Sequence, residues 1–114
     1  MSRMQRDKGA RGEREICALF RDWGFIVNRT PNSGGLHVKS DVTGDPDLPI
    51  HVEVKWQERV SILAWIRQAF TDAEGKPSVV FWRTSRMRWR ADVDGELFVR
   101  MLAELSALEV RLDA

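Results

Sequence analysis

The chain has 114 residues, 43% of them hydrophobic, and a formal net charge of +1. That length suits one domain spanning residues 1–114 with a modest core, and the composition excludes a disordered chain. A single cysteine, Cys17, excludes an internal disulfide and a cysteine-based zinc site. No apolar run is long enough for a bilayer or a signal peptide, so no membrane partner and a cytoplasmic location are expected.

Met1 to Asp7 is polar and charged and is expected to be flexible. A helix is predicted from Lys8 to Trp23, because Ile16, Leu19, Phe20 and Trp23 recur at helical spacing. Gly24 is placed to end it. Phe25 to Arg29 reads as a strand. Thr30 to Lys39 contains Pro31, Asn32, Ser33, Gly34 and Gly35 and reads as a loop. Ser40 to Thr43 is a second short strand, Gly44 to Pro49 a turn, and Ile50 to Trp56 a central strand. Ser61 is a candidate N-cap for a helix whose stripe is Ile62, Trp65, Ile66, Ala69 and Phe70. Gly75, Lys76 and Pro77 stop that helix. Val79 to Trp82 is a continuous apolar run, as in a strand buried on both faces. Thr84 to Met87 turns the chain into an alternating strand with Trp89, Ala91 and Val93 on one face. Glu96 to Leu108 is a last amphipathic helix. Trp65, Trp82 and Trp23 are assigned to the core. The order is α-β-β-β-α-β-β-α, an α/β fold with a mixed central sheet flanked by helices.

The charges are unevenly spread. Arg3, Arg6, Lys8, Arg11 and Arg14 crowd the start, and Arg83, Arg86, Arg88 and Arg90 lie together near the last strands. Asp41, Asp45, Asp47, Glu53 and Glu58 sit between them. Basic surfaces around an acidic centre suit a protein that grips a polyanion and binds a cation, although ordinary charge clustering gives the same pattern. In the central strand His51, Glu53 and Lys55 share one face and Val52 and Val54 the other. A turn would return Asp41 to Glu53. Two carboxylates and a lysine form a site at which Mg²⁺ could assist phosphodiester hydrolysis. The same residues also fit a turn acid and a strand ion pair of about 1 kcal/mol or less.

The ordered set resembles the PD-(D/E)XK nuclease superfamily, with Asp41 followed by Glu53-Val54-Lys55. More narrowly, it resembles archaeal Holliday-junction resolvases and related small phage nucleases, in a restriction-endonuclease-like core. The matching segments are Lys8-Gly9-Ala10-Arg11-Gly12-Glu13-Arg14-Glu15, Val27 to Ser33, Asp41-Val42, the Glu53 strand, and Gln68-Ala69. One departure is Ser40, where the motif has proline. A proline does precede Asp47, but Asp47 lies too close to Glu53 for an easy return, so Asp41 is preferred as the ligand. The resemblance implies a Mg²⁺-dependent endonuclease acting on branched DNA, most specifically a Holliday-junction resolvase, with Mn²⁺ as a substitute. It implies metal ligation by Asp41, Glu53, the Val54 backbone and Glu13, with Lys55 and Gln68 completing the catalytic set. Arg14, Arg29 and Ser33 would contact DNA, and Arg86 and Arg88 could grip it from the last turn. His51 is expected to be a bystander. Resolvases of this type are homodimers, matching the paired cleavage points of a four-way junction. The alternatives are a nuclease of the same fold that cuts other duplex or flapped DNA, and a DNA-binding or assembly domain without catalysis.

Overall fold

The computed structural model describes residues 2–31 and 39–113. Its elements follow the expected order: α1 (Arg3–Asp22), β1 (Val27–Arg29), β2 (Val42–Gly44), β3 (His51–Trp56), α2 (Ile62–Ala73), β4 (Ser78–Arg83), β5 (Arg90–Val93) and α3 (Gly95–Asp113).

β3 and β4 run parallel in a register that sets Glu53 beside Val80 and Lys55 beside Trp82, and β5 joins β4 antiparallel. This three-stranded sheet is therefore mixed. β1 and β2 form a separate antiparallel pair. The two sheets touch where Asp41 N–H donates to Val52 O at 2.7 Å, on the edge of β3 that β4 leaves open.

Each face of the sheet has its own helix. Ile16 and Cys17 of α1 pack with Val27, Val42, Leu48, Val52, Val54 and Val79. On the opposite face Trp65 and Ala69 of α2 pack with Val80, joined by Ile62, Ile66 and Trp82. Alternation along β3 thus sends Val52 and Val54 toward α1 and His51, Glu53 and Lys55 toward the α2 side. Gly12 permits the close approach of α1. A Cβ there would lie 3.1 Å from the Trp89 ring and 3.4 Å from Val54.

Several local expectations are revised. α1 opens at Arg3, because Ser2 and Gln5 form a reciprocal capping box. Its buried face runs through Gly12, Ile16 and Cys17, rotated from the predicted stripe, so Leu19 is exposed and Trp23 is 80% exposed. Trp23 is not a core residue. Gly24, at φ +93°, ends the helix in the left-handed conformation glycine tolerates. Ser61 caps α2 without a side-chain hydrogen bond. Trp56 and Trp89 pack edge to face, with the Arg83 guanidinium 4.3 Å over the Trp56 ring. Glu15 accepts from Trp89 Nε1 at 3.0 Å and from Arg83 at 3.3 Å, fastening α1 to the far strands. The α3 stripe forms but is not covered: Phe98, Val99, Met101, Leu102, Leu105 and Leu108 are 46–62% exposed.

Candidate active site

The open edge of β3 creates the site. An edge strand carries N–H groups that need partners. Here the Ser40-Asp41 segment supplies them from side chains. Ser40 Oγ accepts from Val52 N–H at 3.0 Å and donates to Val42 O at 2.8 Å. Asp41 Oδ2 accepts from Val54 N–H at 2.7 Å. That bond fixes the Asp41 carboxylate near Glu53, whose negative charge it feels. Ser40 replaces the motif's proline with a hydroxyl that stitches this edge together.

Glu53 is only 4% exposed, as is His51, whose Nε2 lies 2.8 Å from Glu53 Oε1. Burial is the main reason that both acids are pushed up to about 7 from ordinary values of 3.8 and 4.5. Glu53 raises Asp41 further, and Asp72 raises Glu53, while the Lys55 ammonium opposes both shifts. Burial also lowers the His51 pKa. Their surroundings disfavour two negative charges side by side.

They lie on the wall of an open cleft of about 770 Å³ between α1, β3 and α2. The structure brings Glu13, Arg29, Asp41, Glu53, Val54, Lys55 and Gln68 to this one cleft. Glu13 is turned to Arg29, with its Oε1 3.2 Å from the guanidinium. Arg14 instead lines a neighbouring groove, which Arg29 also borders. Arg86 and Arg88 lie in and just after the turn between β4 and β5 and do not line the cleft. Ser33 lies outside the described residues. Asp47 is exposed on the turn after β2, while Asp41 holds the position beside Glu53.

Two contacts at the site escaped the sequence reading. Asp72 lies one helical turn beyond Gln68 on α2 and pairs with Lys39 at 3.7 Å. The four-residue spacing was its available signal. His51 was placed on the right face but not in contact with Glu53.

Among the described residues no group of three or more His, Cys, Asp or Glu side chains is arranged to hold a metal ion. Mg²⁺ does not require one: it keeps several waters and binds through one or two carboxylates. A pair of neighbouring carboxylates, Glu53 buried and Asp41 half-buried, on an open cleft fits such an ion, because a cation would offset the charge that their surroundings disfavour.

A family model described as "Phage putative PDDEXK endonuclease" matches residues 4–101. The chain belongs to this family. It is thus a PD-(D/E)XK nuclease, and the match takes in every site element from α1 to β5. Among solved structures, it is similar to Hjc, a Holliday junction resolvase from the archaeal hyperthermophile Archaeoglobus fulgidus. The identity is 23% and the TM-score 0.55, over 75% of this chain and 76% of that one. That likeness establishes the restriction-endonuclease-like fold. No curated protein matches the chain. Among the described residues no helix is long and apolar enough to cross a membrane.

Proposed function

We propose that this nuclease is a Mg²⁺-dependent endonuclease that hydrolyses phosphodiester bonds in branched DNA, four-way junctions above all. Mn²⁺ would substitute for Mg²⁺. The observation that carries the metal reading is the pairing of half-buried Asp41 with buried Glu53 beside Lys55 on the cleft wall, with both acids raised to about 7.

Asp41 and Glu53 would hold the ion with the Val54 carbonyl, and Glu13 would join them directly or through water. When bound, Mg²⁺ supplies an activated water and neutralises charge on the scissile phosphate. Lys55 places its ammonium where the developing negative charge needs a partner. Gln68, on the opposite wall, orients Lys55 or the attacking water. Arg29 borders both the cleft and the Arg14 groove, a continuous path for one DNA backbone. Ser33, four residues after Arg29 in the chain, would contact DNA as well. Arg86 and Arg88 form a second, separate grip.

The branched-DNA reading rests on the motif order of the first two thirds of the chain and on the fold shared with Hjc. Two symmetric cuts need two copies, and α3 offers the surface for the second. Phe98, Met101, Leu105 and Leu108 alternate at three- and four-residue spacing, a heptad seam, and all are about half exposed. An antiparallel pairing about Leu105 and Leu108 sets Glu104 beside Arg111 of the other copy. A parallel pairing sets Glu104 beside Glu109.

The test is cleavage of a synthetic four-way junction beside a linear duplex of the same arms, in Mg²⁺ and in EDTA. Paired nicks near the crossover that require Mg²⁺ and vanish in Glu53→Ala are expected. Equal cutting of the linear duplex replaces the junction reading with that of a general duplex nuclease. No cutting of any DNA in Mg²⁺ or Mn²⁺ leaves a binding or assembly domain.

A further inference from the structure

His51 is a buried titratable group that the proposed chemistry leaves without a task. It begins β3 on the face of Glu53 and Lys55 and is 4% exposed. A valine or isoleucine would fill that strand position without burying a polar ring. Its neighbours give it a specific contact instead: Nε2 lies 2.8 Å from Glu53 Oε1. Its backbone N–H donates to Pro77 O at 2.7 Å, so the residue is fixed at both ends.

We propose that His51 is a positioning residue: its Nε2–H donates to Glu53 Oε1 and fixes the Glu53 carboxylate for a divalent cation. Glu53 is then held at Oε1 by His51. The choice of an imidazole matters. An arginine or lysine at this position would neutralise Glu53 and compete with a metal ion for it. A neutral imidazole donates one hydrogen bond and leaves the carboxylate's charge available. Outer hydrogen bonds of this kind orient metal ligands, and their loss typically costs about 10–100-fold in metal affinity.

The inference rests on the metal reading of the Asp41–Glu53 pair, and the experiment separates the two. Mn²⁺ affinity is measured by calorimetry on the folded full chain for wild type, His51→Ala, His51→Gln and His51→Met. Circular dichroism and melting in EDTA report the fold of each. A glutamine amide reaches about where imidazole Nε2 lies and can donate the same bond; methionine fills similar space without a donor. The expected result is that His51→Ala and His51→Met weaken Mn²⁺ binding by about 10-fold or more, while His51→Gln stays within about threefold of wild type. If His51→Ala fails to fold, the glutamine and methionine variants carry the comparison. Folded variants that all bind like wild type overturn the role of His51, as does a glutamine variant as weak as the methionine one. Wild type that binds no Mn²⁺ overturns the metal reading itself and the inference with it.

Discussion

Glu53→Gln should make the metal-free protein more stable while destroying its activity. The amide keeps the side chain's volume, can keep the His51 contact, and can donate to Asp41. What it removes is a negative charge that burial disfavours. Glu53 is raised from 4.5 to about 7. At about 1.4 kcal/mol per pKa unit, that shift corresponds to roughly 3 kcal/mol once the group is fully ionised. The pair shares this strain, so relief of about 2 kcal/mol is the working figure.

The sign with pH is fixed. A carboxyl raised by folding stabilises the fold below its unfolded pKa, and that contribution is lost as pH rises through the folded value. Wild type therefore weakens between about pH 4.5 and pH 7, and the variant does not share that loss. In a domain of this length 1 kcal/mol moves Tm by about 4 °C. Melting in EDTA should show a variant advantage of about 8 °C at pH 8 that shrinks to a few degrees at pH 5. Adding Mn²⁺ should raise the Tm of wild type and leave the variant unmoved. A variant that melts below wild type at pH 8, or an advantage independent of pH, refutes the reasoning that the pair is strained by its charge.

Other consequences follow from the same geometry. Lys55→Ala should lose cleavage yet bind a four-way junction within about threefold of wild type in a gel-shift assay in Ca²⁺, since the lysine serves the transition state. Leu105→Glu combined with Leu108→Glu should shift the protein to a monomer by light scattering and keep the fold by circular dichroism, because within one chain both side chains face water. Gly12→Val should lower stability by about 1–3 kcal/mol in denaturant melts, because its side chain would press on Trp89 and Val54.

Much of the scaffold was legible because its signals are local. Apolar runs, turn residues and strand alternation set the element order, and the return of Asp41 to Glu53 followed from turn length. The failures are three-dimensional. Counting apolar residues turned α1 toward Leu19 and Trp23, whereas the buried face is built on Gly12, Ile16 and Cys17. Small residues dock a helix closely but add little to a periodic apolar pattern. The α3 stripe was visible, but a stripe does not say what covers it. Asp72 needed only the helical repeat from Gln68. The His51–Glu53 contact needed the reach of an imidazole along one strand face, which spacing alone does not give.

Ser40 shows how the departure from the motif and the chemistry meet. Proline before the metal-binding acid would stiffen the chain but offers no donor and no side-chain acceptor. Here the two N–H groups of β3's open edge, Val52 and Val54, are taken by Ser40 Oγ and Asp41 Oδ2. The serine satisfies the first, and in doing so it sets the register that brings the aspartate to the second. Asp41 then spends one oxygen on the backbone and turns toward Glu53. The edge of a sheet, usually a liability, becomes the means of holding two carboxylates together, where a proton or a cation offsets their charge.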